Sequence, residues 1–145
     1  MKSLADRLRN SRFHYLLSKT LEKFECEGFT LSYSQAGEDL ILKAIFGKQK
    51  RTGFYVDVGA NNPIQKNNTF KLYIKGWRGI NIDGNESLIR KLNKIRKKDL
   101  NLNQVISCEK KEITFFQVKN GHEMSTVEES IRDTLVRDGF EIEEK

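Results

Sequence analysis

The run Phe54-Tyr55-Val56-Asp57-Val58-Gly59-Ala60-Asn61-Asn62-Pro63 passes from apolar, strand-forming residues into an acid, a glycine and then small polar residues. A buried parallel strand of this kind delivers Asp57 and Gly59 to the carboxyl edge of a sheet, where open α/β folds bind ligands. Gly59 lets the backbone turn sharply and approach a ligand with no Cβ in the way. A second strand, Gly79-Ile80-Asn81-Ile82-Asp83, also ends in an acid, suited to hold the two hydroxyls of a ribose. The two acids lie 26 residues apart, close to the roughly 20-residue interval between a glycine turn and the ribose carboxylate of one β-α-β unit. Asp57 has a second reading, as a structural turn acid. Its place at a strand end just ahead of the glycine, matched by Asp83, favours the ligand reading. The residues alone thus describe a nucleoside-binding α/β unit.

Outward from these strands, residues 1–26 carry Leu4, Leu8, Leu16, Leu17, Leu21 and Phe24 on or near one side of an amphipathic cap or docking helix, which Gly28 breaks. Ser34 offers an N-cap for a helix over 35–46, where Leu40, Ile41, Ala44 and Ile45 recur at helical spacing. Residues 47–53 read as a basic turn, and 68–75 as a short crossover helix that lets the two strands run parallel. Leu88, Ile89, Leu92 and Ile95 form the buried stripe of a further helix. Arg90, Lys91, Lys94, Arg96, Lys97 and Lys98 read as its solvated face. Residues 100–107 and 113–118 are expected as a third and a fourth strand pairing as a hairpin, with the turn at 108–112. From Ser125 onward Ile131, Leu135 and Val136 are the few apolar anchors, so the tail reads as a weak helix or as disordered. Trp77 is expected to pack at the entry to the second strand. The division that results is an N-terminal amphipathic helix over 1–30 and an α/β domain over 31–145.

Composition sets the outer limits. The chain has 145 residues, 32% of them charged and 37% hydrophobic, with a formal net charge of +6. That is one domain's worth of chain, able to bury a core but short for a complete seven-stranded sheet. The positive charge suits an anionic partner such as nucleic acid or a membrane surface. Most of it is local to residues 90–98, and no RNA-binding or helix-turn-helix signature accompanies it, so nucleic acid is not the expected partner. Cys26 and Cys108 are far apart and form neither a zinc spacing nor a disulfide framework. His14 and His122 lack a second ligand at metal-binding spacing and are expected at the surface. The N-terminus is charged and has no apolar signal region, and no segment approaches the roughly 18 apolar residues of a membrane helix. A soluble, cytoplasmic protein without a metal is therefore expected.

Several blocks in order, Ser34-Gln35-Ala36-Gly37-Glu38-Asp39-Leu40, Phe54 to Asn61, Asn68-Thr69, Gly76 to Asp83 and Asn101-Leu102-Asn103, resemble the FkbM family of S-adenosylmethionine-dependent methyltransferases. The resemblance runs from Ser34 to Ser130. It implies a Rossmann-like class I methyltransferase sheet, S-adenosylmethionine as cofactor, and O-methylation of a sugar or secondary-metabolite hydroxyl on a small-molecule or glycan acceptor. Carried over by position, Asp57, Gly59, Ala60 and Asn61 would line the methionine end of the cofactor and Asp83 would hold its ribose. Gln35, Glu38 and Asp39 match the block ahead of the first strand, and Ser125-Thr126 matches a serine-threonine step of the family. The reaction implied is an in-line displacement at the methyl group, governed mainly by proximity and alignment. No general base or other catalytic residue is identifiable.

The match has three departures. Asn61 and Pro63 stand where methyltransferase loops commonly repeat glycine, although asparagine tolerates left-handed backbone. Gly84-Asn85 follows Asp83 where the family usually has proline. The chain also stops at Lys145, ahead of a later strand block that relatives carry, so the sheet is expected to be incomplete at its C-terminus. Two alternatives follow. One is a non-catalytic fragment or subunit that binds a nucleoside cofactor, or a partner supplying the remaining strands. The other is a nicotinamide-dinucleotide binder, which Asn61 and Pro63 argue against because a pyrophosphate needs close backbone approach there.

Overall fold

The computed structural model describes residues 12–24, 29–48, 51–109, 112–119 and 124–145; Leu4, Leu8, Cys26 and His122 lie outside them. The elements are α1 (Arg12–Leu21), a 3-10 turn (Glu22–Phe24), α2 (Glu38–Phe46), β1 (Phe54–Val58), α3 (Phe70–Ile74), β2 (Arg78–Asp83), α4 (Glu86–Ile95), β3 (Leu100–Asn103), β4 (Phe116–Val118), α5 (Glu129–Arg137) and β5 (Ile142–Glu144). Strands β1, β2 and β3 form a parallel sheet in that order, and β4 and β5 form a separate antiparallel pair. The chain is therefore mixed α/β around a small three-stranded parallel sheet.

Alternation along β1 decides which face of this sheet is covered. Tyr55 is buried, whereas Phe54, Val56 and Val58 are each more than half exposed. The covered face carries Tyr55 into a cluster with Ile64, Phe70, Leu72, Tyr73 and Ile95. Tyr55 sits directly over Gly79, its partner in the ladder, where an added Cβ would lie 2.3 Å from the ring. Tyr15 brings α1 onto this layer through ring contacts with Phe70 at 6.3 Å and Tyr73 at 6.1 Å. The buried Lys71 ammonium fixes the end of α1 by pairing with Glu22 at 3.1 Å and donating to the Leu31 carbonyl. Trp77 packs as expected, edge-on to Phe46 and against Gly53.

Helix α4 follows the apolar periodicity closely, with Leu88, Ile89, Leu92 and Ile95 all buried. Strands β1 and β2 form where expected. Strand β1 is not the expected buried strand, however: it lies at the sheet edge with Phe54, Val56 and Val58 exposed. Other expectations are corrected. Residues 100–107 and 113–118 do not form a hairpin. The first stretch stops at Asn103 and pairs parallel with β2, while β4 pairs with β5 from the tail that was expected to be weak or disordered. Helix α2 begins at Glu38, after Gly37 at φ 90°, so Ser34 is not its N-cap, although the Ser34 hydroxyl accepts from the N–H groups of Gly37 and Asp39. The crossover helix is only Phe70–Ile74. Leu16, Leu17 and Leu21 of α1 point away from the core.

The largest correction is Arg96. It belongs to no solvated face: the side chain is fully buried and donates to the Pro63 carbonyl at 3.1 Å, Thr69 Oγ1 at 2.8 Å, Asn81 Oδ1 at 3.0 Å and Asn67 Oδ1. Burial lowers its pKa, with Tyr55, Asp57 and Asp99 acting the other way. A guanidinium with four acceptors around it satisfies a fork that no other side chain reproduces. Arg96→Met strips those acceptors of their donor and is expected to cost about 3–5 kcal/mol, read as a lower denaturation midpoint.

Candidate functional site

A groove of about 480 Å³ opens at the carboxyl ends of β1 and β2. Its making begins with Gly59, whose φ of 71° turns the chain out of β1. The N–H groups of Gly59 and Ala60 both donate to the Ile82 carbonyl, at 2.9 and 3.1 Å, holding this turn against the neighbouring strand. Nothing lies within 4 Å of the position a Gly59 Cβ would take, so the backbone is open to a ligand on that side.

Asp83 closes the turn from the other strand. One carboxylate oxygen accepts from the Asn61 N–H at 2.9 Å and the other from the Asn85 N–H at 2.8 Å. Each oxygen keeps a further lone pair, so the carboxylate both clamps the two loops and remains able to accept from a ligand. Asn85 is the N-cap of α4, accepting from the Ser87 N–H at 2.9 Å. Asn61 takes the left-handed conformation at φ 53°. The loop beyond it is held by Asn67, whose amide donates to the carbonyls of Ala60 at 2.7 Å and Asn62 at 2.9 Å. Asn67 Oδ1 in turn accepts from the N–H groups of Thr69 and Phe70 at the start of α3.

Of the seven residues expected to bind a cofactor, Gln35, Glu38, Gly59, Asn61 and Asp83 line this one groove. Glu38 stands at the start of α2, where backbone N–H donors and the Ser34 hydroxyl lower its pKa. Ala60 is buried instead against Ile89 and Leu92. Asp57 faces the covered side of the sheet, accepting from Thr69 Oγ1 at 2.6 Å. From there it joins the Arg96 network, which continues through Asn81 to Asp99 at 3.1 Å and Asn101 at 2.8 Å, with the Tyr55 hydroxyl donating to Asp99. Asp39 is likewise turned inward, bonded to Ser32, Ser34 and the Tyr33 N–H.

Sequence reasoning missed the far wall. Val105 and Ile106 after β3 and Phe115 ahead of β4 give it an apolar surface, and Lys66 adds a cation to the rim. Val105 and Ile106 read as the end of a third strand and Phe115 as part of a fourth, whereas both stretches lie outside β3 and β4. Ser125 and Thr126, the residues of the serine-threonine step, also line the groove, and Thr126 is bridged to Phe116. Among the described residues no group of three or more His, Cys, Asp or Glu side chains is arranged to hold a metal ion. No described helix is long and apolar enough to cross a membrane. No family model, curated protein or solved structure matches the chain.

Burial raises the pKa of Asp57 above 3.8, the Asp83 and Asp99 charges act the same way, and the Thr69 hydrogen bond and Arg96 oppose them. A raised folded-state pKa means that the folded chain holds this proton more tightly than the unfolded one. Stability from this carboxyl is therefore present below the ordinary carboxylate value and lost as pH rises through the raised one. Asp57→Asn should flatten the decline in stability above about pH 4, measured as denaturation midpoints over a pH series. An unaltered slope would contradict that assignment.

Proposed function

We propose that the chain forms the cofactor-binding part of an S-adenosylmethionine-dependent methyltransferase of the FkbM type, built on a Rossmann-like class I sheet and acting on a hydroxyl of a sugar or secondary metabolite. The observation that carries this reading is the convergence of Gly59, Asn61 and Asp83 on one groove at the carboxyl ends of two adjacent parallel strands, where open α/β sheets take nucleosides.

The groove's chemistry fits such a cofactor. Asp83 has acceptor capacity for the ribose hydroxyls, and Val105, Ile106 and Phe115 offer an apolar wall to a base. The open space beside Gly59 admits close backbone approach. Glu38 and Asp83 put negative charge beside a group that carries a sulfonium, and Gln35 adds an amide. When bound, the cofactor supplies an electrophilic methyl group. This chain's residues would orient it and keep the backbone turn rigid. No side chain of the groove is assigned as general base.

A second reading, a subunit that needs further polypeptide, is favoured by the bare face of the sheet. Parallel sheets are ordinarily covered on both faces. Here Phe54, Val56, Val58 and Leu100 are all more than half exposed on one of them. Under this reading the groove still takes the nucleoside cofactor, and the acceptor pocket is completed by the covering polypeptide.

Calorimetric titration of the purified chain with S-adenosylmethionine, with NADH as control, tests both. Binding of the first alone is the expected result. Asp83→Asn should weaken it about tenfold to a hundredfold, the range for a hydrogen bond to a charged group. A folded chain that binds neither would sink the cofactor-site reading.

A further inference from the structure

We infer that the outer face of α1, together with the basic end of α4, docks the protein on an anionic lipid surface. The starting point is a helix turned inside out. Ser18 is 2% exposed and shares the inward side with Tyr15, whereas Phe13 is 62%, Leu16 57% and Leu17 43% exposed. At 3.6 residues per turn, Phe13, Leu16, Leu17 and Thr20 gather on the flank opposite Tyr15 and Ser18. Scattered exposed leucines are ordinary; a contiguous row of large apolar side chains on one helix face is not.

The row is bordered by positive charge. Arg12, Lys94, Lys97 and Lys98 surround a cleft of about 220 Å³ that Leu16 and Tyr15 also line. None of these four cations takes part in an ion pair among the described residues. Helix α1 contains no acid, and neither does the stretch 87–98. Glu86 at the start of α4 is engaged by Arg90 at 2.6 Å. Apolar side chains flanked by lysine and arginine with no ion-pair partner among the described residues match a bilayer carrying anionic headgroups. The apolar row enters the headgroup boundary and the ammonium groups stay at its charged level. With 10 residues, α1 is far too short to span a bilayer and would lie in its plane. Nucleic acid would satisfy the cations but leave Phe13 and Leu16 without a partner.

The basic cluster stands away from the groove. Helix α4 leaves the carboxyl edge of the sheet at Asn85 and ends beside the start of β3, so this inference does not rest on the reading of the groove.

The test is flotation of the full chain with phosphatidylcholine vesicles, with and without phosphatidylserine, over a range of salt. Capture only by the phosphatidylserine vesicles, weakening as salt rises, is expected. The triple variant Lys94→Glu, Lys97→Glu, Lys98→Glu should reduce capture well over tenfold, since each lysine near an anionic surface is worth about fivefold. The double variant Phe13→Ser, Leu16→Ser should reduce it at least tenfold. All these positions are exposed, and circular dichroism checks that the variants fold. Equal capture by neutral vesicles, no capture by anionic ones, or undiminished capture of either variant would overturn the proposal. So would binding to polyglutamate that is as tight and indifferent to Phe13 and Leu16, which would point to an acidic polypeptide instead.

Discussion

The buried guanidinium of Arg96 is the constraint on which the rest of the structure depends. It arrives from the end of α4, reaches under the loop after β1 and ends against Asn81 of β2. Removing a guanidinium from water is costly, and only a full set of acceptors offsets it. Those acceptors come from separate segments: Pro63, Asn67 and Thr69 from the β1-α3 connection, and Asn81 from the sheet. The aromatic faces of Phe70 and Tyr73 stack at 5.6 and 5.5 Å from the same group. Satisfying Arg96 therefore selects one arrangement of loop, helix and sheet, and that arrangement holds Asn61 at the rim of the groove.

The loop itself is under mild strain. Asn61 and Lys66 are both at positive φ without being glycine, a conformation that persists only where neighbours over-determine it. Asn67 and Asp83 do so. Asn67 fastens Ala60 and Asn62 to the start of α3, and Asp83 fastens Asn61 to β2. The carboxylate expected to meet a ribose thus already has a structural task. A ligand there would bind to a preorganised acceptor, which lowers the ordering cost of association.

Legibility in the sequence followed the length scale of the forces involved. The α4 stripe was visible because burial repeats with period 3.6 within a single element. The two strands were visible because short runs of strand-forming residues end in an acid, although β1 leaves Phe54, Val56 and Val58 exposed. The position of Asp83 at the carboxyl end of β2 was legible from the strand that precedes it, but its structural clamp on Asn61 and Asn85 was not. Asp57 was read toward the ligand, yet β1 turns its side chain inward, in the same pleat phase as Tyr55, onto Thr69. Arg96 sits in a run of cations in which Arg90, Lys94, Lys97 and Lys98 are exposed. Only tertiary acceptors, 15 to 33 residues away, make it the exception, and no local pattern encodes them. The hairpin expectation failed for a related reason. Two adjacent strand-like stretches suggest local pairing, but Leu100–Asn103 found an open edge at β2 and Phe116–Val118 found Ile142–Glu144.

The open face of the sheet and the groove are one continuous surface. Phe54, Val56 and Val58 lie in a row along β1, and Val58, at the carboxyl end of that row, also lines the groove beside Gly59. Strand β1 is an edge of the sheet and its backbone on that side is unpaired by any other named strand. Polypeptide that added itself there and covered the Phe54–Val56 row would reach Val58 and become a wall of the groove. Covering the open face and adding a wall to the groove would therefore go together. The existing walls already fix Asn61 and Asp83 without that contribution, because the Asp83 carboxylate is clamped to the N–H groups of Asn61 and Asn85, both within the present chain.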